Sequence, residues 1–218
     1  IEWTSNVAEF ASDNWQEETR AFITEEYTVL NTDSGFTLKA GVNDKYAIKT
    51  AADLSKLVNA KGAFQLMNDI DMSGVSHAPI DGFTGILMGN GHTIKNLKIE
   101  SSESNVGFFS TLNGIARDLK FENAQINVTG SQENVGILCG TLSGSVYDIV
   151  VSGSVDAENA KNIGGIAGNV SSSRNVAMNS LENSASVSGD ECVGGIFGCY
   201  FVNSNYSEIT TQLNSFKN

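Results

Sequence analysis

Asp118 and Asp148 are the carboxylates in this sequence best spaced for chemistry. They lie 30 residues apart, with Arg117 beside the first. Acids stacked one coil of a repeat apart can act as acid and base across a glycosidic bond. With a basic neighbour they can also assist proton abstraction. The simpler reading, which we prefer, is a column of solvent-facing turn residues that Asn179 continues.

The run Asp69-Ile70-Asp71-Met72-Ser73-Gly74 reads like the first half of an EF-hand loop. Such a loop needs a bidentate acid at its twelfth position, where Ile80 stands, so the match fails. Alternating carboxylates on a strand account for it. Asp69, Asp71 and Asp81 are kept as the calcium candidates, and no other cofactor is expected. His77 and His92 are the only histidines, and no His-Glu-x-x-His motif is present. His92 follows Gly89-Asn90-Gly91 and reads as a polar turn residue. No Gly-x-Ser-x-Gly elbow supports a serine nucleophile. No catalytic residue is assigned.

Three cysteines without a CxxC pair argue against a disulfide framework or a zinc site. Cys139 aligns with Ala167 and Phe197 in the repeat and reads as a core side chain. Cys192 and Cys199 are separated by six residues expected to be extended, too far for a bridge unless the chain bends. Free thiols are expected.

The net charge of −12 argues against nucleic-acid and anionic-membrane binding, because phosphate recognition needs a Lys/Arg surface. Only 17% of residues are charged, so the surface is polar but mostly uncharged, as in many secreted β-rich proteins. No apolar run is long enough to insert in a membrane. The chain opens on Ile1 without a basic leader, which predicts that a signal peptide or longer N-terminal region is removed.

A repeated phrase must position any such residues. Its marker recurs at Val106, Val135, Ile163 and Val193, in steps of 29, 28 and 30 residues. That period is a solenoid's, each unit burying its apolar face against its neighbours. Three short strands per unit predict an all-β, right-handed parallel β-helix with coils of roughly 29 residues. The second strand runs Ile115 to Phe121, then Val146 to Val151. The third carries Ala124 to Ile126, then Ser154-Val155. At Gly164-Gly165 and Gly194-Gly195 the backbone either takes φ > 0 or lets coils approach closely. Gly107, Gly136, Gly164 and Gly194 look obligatory, and the second glycine replaceable. Asn105, Asn134 and Asn162 share one column and predict an amide ladder.

Two parts are expected: a non-repeat segment, 1–45, and the β-helix, 46–218. In the first, Asp13 caps a helix that carries Trp15, Phe22, Ile23 and Tyr27, before short strands Tyr27 to Leu30 and Gly35 to Ala40. In the second, Thr50 and Asp53 cap a short helix over Ala51 to Ala60 that covers the first coil. Strands follow at Tyr46 to Lys49, Ala63 to Met67, Asp69 to Met72, Phe83 to Leu87 and His92 to Ile99. Ile209, Leu213 and Phe216 allow a terminal helix, with a further strand nearly as good. No strong cap ends the repeat, which predicts that the natural chain continues beyond Asn218.

The motifs Val135-Gly136-Ile137-Leu138-Cys139-Gly140, Ile163-Gly164-Gly165-Ile166-Ala167-Gly168 and Val193-Gly194-Gly195-Ile196-Phe197-Gly198 resemble the GLUG-repeat family. Asn68-Asp69-Ile70-Asp71-Met72-Ser73-Gly74 and Gly89-Asn90-Gly91-His92-Thr93-Ile94 are similar to its lead-in. The resemblance spans about residues 46–200. It implies a bacterial secreted or cell-surface adhesin-like protein, or an accessory region of an immunoglobulin-A peptidase. The function expected is non-catalytic adhesion or binding to a host glycan or to a surface or matrix protein. The alternatives are a polysaccharide lyase or hydrolase, and a spacer domain of a larger surface peptidase.

Overall fold

The computed structural model describes residues 27–32, 35–40, 45–172, 176–202 and 211–218. Tyr27–Thr32 and Gly35–Ala40 form an antiparallel hairpin. The strand pairs from Ala47 onward are parallel, and their register is the repeat itself. Val106 bridges Val135, Val135 lies opposite Ile163, and Ile163 opposite Val193. Each coil thus sets a residue beside its equivalent one period later, which makes the chain a parallel β-solenoid. One sheet stacks Phe109–Leu112, Cys139–Leu142, Ala167–Ser172 and Phe197–Val202. The other sheet takes the rest of each coil and bends at several corners. The first coils are short: Ala47 pairs with Gln65 and Ala63 with Ile86, whereas Ile86 pairs with Ile115.

The corners depend on residues that tolerate the left-handed region. Asn105, Asn134 and Asn162 take φ of 59, 65 and 58°, and Asn96 and Asn123 take 56 and 55°. Asn enters this region at low cost because its short polar side chain can bond locally. The ladder expected of the first column is present. Asn134 Nδ2 donates to Asn105 Oδ1 at 3.0 Å, and Asn162 Nδ2 to Asn134 Oδ1 at 2.9 Å. A second ladder runs from Asn123 to Asn96 at 2.8 Å and ends on Asp71 Oδ1 at 2.9 Å.

The glycines of the phrase serve close approach instead. Gly136 has no positive φ, and a Cβ there would lie 2.7 Å from Ala167 Cα of the next coil. The second glycine has its own cause. Phe108, Ile137, Gly165 and Gly195 share a column through successive backbone bonds. Facing them stand Phe121, Val151 and Asn183 in register, followed by Asn218. A Cβ at Gly165 would strike the Asn183 side chain, and one at Gly195 would strike that of Asn218. The glycine therefore appears where the opposite column turns from apolar to amide. Asn183 is buried, and its amide bonds Asn218 Oδ1, Ala185 O and Ala185 N, which meets the need of a buried polar group.

An aromatic spine fills the early coils. Tyr46, Phe64, Phe83, Phe109, Phe108 and Phe121 contact in sequence, with centroids 4.9 to 6.1 Å apart. Later coils continue it with Ile137, Leu138, Ile166 and Val170, all buried. Cys139 is buried among them, beside Phe109 and Ala167 in the sheet as the repeat predicts.

His77 lies flat on Phe108, centroids 5.0 Å apart, with Nε2 3.0 Å from Phe108 O. Burial holds its pKa below the usual 6.5, and the carbonyl offsets only part of that. The unfolded chain then takes up a proton near pH 6.5 where the folded chain does not. Stability is full above that pH and declines as the pH falls through it, until the folded imidazole also protonates. The urea midpoint should be lower at pH 5.5 than at pH 7.5, and His77→Gln should remove most of that difference.

Several expected elements differ in detail. The helix at 51–60 is a 3₁₀ turn, Ala51–Leu57. Its Asp53 carboxylate accepts from Lys49 N, Thr50 N and Thr50 Oγ1 and pairs with Lys56 Nζ at 2.9 Å. Those partners, Lys56 foremost, lower the Asp53 pKa to about 2. The strand expected over 92–99 is two, Thr93–Lys95 and Lys98–Ser101, because Asn96 turns left-handed between them. Ile94, Leu97 and Ile99 still point inward. Phe83 precedes its strand, Ile86–Met88, and packs from a loop. The second and third strands of a coil join as Ile115–Val128, with a register shift between Phe121 and Ala124. Thr211–Lys217 is a strand paired with Val176–Asn183, so the strand reading of the C-terminal segment holds over the helix. The helix expected from Asp13 lies outside the described residues.

Candidate binding groove

Asp118 and Asp148 occupy one corner of successive coils. Arg117 pairs with Tyr147 and Leu119 with Ile149, which sets the two acids in register. Both are left-handed, at φ 53 and 52°. Ser180, at φ 53°, continues this column. Asn179 does not: it lies in line with Arg117 and Tyr147, one place off the expected ladder. The corner turns the backbone so that Leu119, Ile149 and Leu181 enter the core while the acids face out.

Beside this corner is an open groove of about 480 Å³. Asn90 and His92 of one coil, Asp118 and Lys120 of the next, and Asp148 and Val150 of the third line it. The Gly89-Asn90-Gly91 turn places the first pair, with His92 N bonded to Gly89 O at 2.9 Å. Lys120 pairs with Thr93 across the strands, and Val150 with Lys120. Asp118 Oδ2 is engaged by Arg117 Nε at 2.9 Å. Among the described residues, the Asp148 carboxylate and the Lys120 ammonium have no side-chain partner. Lys120 was not singled out in the sequence. The available signal is its place two residues after Asp118 on the same strand, on the outward side of the alternation.

Stacked carboxylates stand about 4.8 Å apart along a β-solenoid, near the spacing of a retaining glycosidase pair. Here one acid is tied to Arg117, and the groove is open to water. The arrangement offers acceptors from Asp118 and Asp148, donors from Lys120 and Asn90, and an apolar contact at Val150. Such a set has the donors and acceptors that a polar, uncharged or zwitterionic molecule would need.

The three calcium candidates hold protein partners instead of facing one another. Asp69 Oδ2 pairs with Lys95 Nζ at 2.7 Å, and Oδ1 accepts from Thr93 N at 3.0 Å with His92 Nδ1 3.6 Å away. Lys95 holds its carboxyl below the usual range. Asp71 Oδ1 accepts from Asn96 Nδ2, Ser73 N and Ser73 Oγ, which lower its pKa to about 2. Asp81 Oδ1 accepts from Ser110 Oγ at 2.7 Å. Among the described residues, no three His, Cys, Asp or Glu side chains group closely enough to hold a metal ion.

Comparison with known proteins adds a relative. The chain is 32% identical to halomucin of Haloquadratum walsbyi (strain DSM 16790 / HBSQ001), over 69% of its own length. It spans about 2% of the length of halomucin. No protein-family model matches, so the GLUG resemblance is not confirmed beyond the residues that carry it. A solved structure from Bacteroides ovatus, described as a proposed immunoglobulin A1 protease, aligns with 86% of this chain and 85% of its own, at 18% identity and TM-score 0.45. That likeness is too loose to fix a shared function. Among the described residues, no helix is long and apolar enough to cross a membrane.

Proposed function

We propose that this chain is a non-catalytic binding module of a secreted or cell-surface protein, holding a polyhydroxylated ligand such as a host glycan. The observation that carries this reading is the groove in which Asp148 and Lys120, opposite charges without side-chain partners, project from adjoining rigid coils. A carboxylate accepts from paired sugar hydroxyls and an ammonium donates to them, both on a backbone that needs little ordering to bind. Similarity to a protein named halomucin supports an extracellular setting. The half-buried Tyr147, between Arg117 and Asn179 in the column beside the corner, would add one ring for a longer ligand to pack on.

The second reading, a polysaccharide lyase or hydrolase, draws on the stacked pair Asp118 and Asp148. A glycan and matrix-protein array, with degradation assays on the same sample, separates the two. The expected outcome is saturable binding to one glycan class without new sugar ends. Product release would convert the module into an enzyme, and an array without binding would leave a spacer.

A further inference from the structure

The asparagine column at the tight corner of the coil ends in a cysteine, and so does the column it faces. The pairings of Lys161 with Glu191 and Ile163 with Val193 set Cys192 opposite Asn162. Its φ of 54° matches the 59, 65 and 58° of Asn105, Asn134 and Asn162. Across the corner, Thr141 pairs with Asn169 and Asn169 with Cys199.

Lower in the solenoid these two columns touch. Asn134 Nδ2 and Thr141 Oγ1 both donate to Asn105 Oδ1, at 3.0 and 2.7 Å. Two side chains of the same coil therefore end within two hydrogen-bond lengths of each other. Cys192 and Cys199 stand in their coil where Asn134 and Thr141 stand in theirs. The corner is closed there too: a Cβ on Gly198, the neighbour of Cys199, would lie 2.7 Å from Cys192 O. The sequence alone reads the six intervening residues as extended. The chain bends between Gly194 and Phe197, which sets Cys192 and Cys199 in the two facing columns. Cys192 is exposed and Cys199 half-buried, while Cys139 is enclosed and its thiol pushed far up by burial.

We propose that Cys192 and Cys199 are a covalent site that closes to a reversible disulfide by exchange with a small-molecule disulfide. Cys192 gives its proton to solvent and attacks one sulfur of that disulfide. A mixed disulfide forms, and one small thiolate leaves and takes up a proton. The Cys199 thiolate then attacks the Cys192 sulfur and expels the second small thiol. Two protein thiols are oxidised, and one small disulfide is reduced to two thiols. The bond joins Ser186–Gly194 to Phe197–Val202 in a coil whose Ile196 and Phe197 are only partly buried and whose Val193 is 43% exposed. It compensates there for the thinner core.

The test incubates the full chain with oxidised glutathione in mildly alkaline buffer, alkylates free thiols, and maps peptides by mass spectrometry. The expected product is the peptide carrying both cysteines, short of two hydrogens and without glutathione, with Cys139 alkylated only after unfolding. Proteolysis of the last coil should slow by about fivefold and recover on reduction. Cys199→Ser should stop at the mixed disulfide on Cys192. A stable glutathione adduct on wild-type Cys192 with Cys199 still alkylated, or adducts on both, would overturn the proposal.

Discussion

Phe108→Ala should lower the unfolding free energy by about 4 kcal/mol, within the usual range for deleting a buried aromatic ring. The ring is fully buried and touches three others: His77 at 5.0 Å, Phe109 at 4.9 Å and Phe121 at 5.3 Å. It stands where the short first coils meet the long regular ones, so the cavity would fall between two parts of the solenoid with little freedom to collapse. The backbone survives the change, because Phe108 O still accepts from Ile80 N at 2.9 Å. A second readout follows from His77. Without the ring to bury it, its pKa should rise back toward 6.5, visible by NMR titration alongside the urea midpoint. A midpoint unchanged within error would mean that the spine does not hold these coils together.

Asn134→Val should cost about 3 kcal/mol, from two sources of similar size. A β-branched residue at φ 65° is strained by roughly 1–2 kcal/mol. The ladder loses the bonds from Asn134 to Asn105 and from Asn162 to Asn134, each about 1 kcal/mol net. Asn134→Gly separates the two, since glycine accepts the left-handed backbone and loses only the ladder. It should cost about half as much as the valine variant by urea unfolding. Equal losses for both variants would assign the whole effect to the amide bonds.

The fold was legible because the period of the phrase is the register of the sheets: steps of 29, 28 and 30 residues became the pairs Val106 to Val135, Ile163 and Val193. The Asn ladder was legible for the same reason. Which residue carries the unusual backbone was not. The paired glycines drew attention, yet Asn105, Asn134 and Asn162 turn left-handed while the glycines make room. The two demands favour different residue types, and sequence alone does not separate them. The second glycine depends on Asn183 and Asn218, far away in the chain. The groove was half legible. Asp118 and Asp148 stood out by their spacing, whereas His92 joins them only because the Gly89-Asn90-Gly91 turn adds two residues at this corner, shifting the pairing from Met88 with Arg117 to Thr93 with Lys120. The Cys192 and Cys199 corner was hidden by a bend inside a run that reads as extended.

The central functional claim is that the groove binds and does not turn over its ligand. It is tested most directly by titrating the best glycan from the array against wild type, Asp148→Ala, Lys120→Ala and, as an off-site control, Glu100→Ala, with sugar ends counted in the same vessels. Each groove variant should weaken binding by about tenfold or more, roughly 1.4 kcal/mol. Glu100→Ala should bind as wild type does, and no vessel should accumulate new ends. Affinity unchanged by both groove variants, or sugar ends released by wild type and lost in Asp148→Ala, would contradict it.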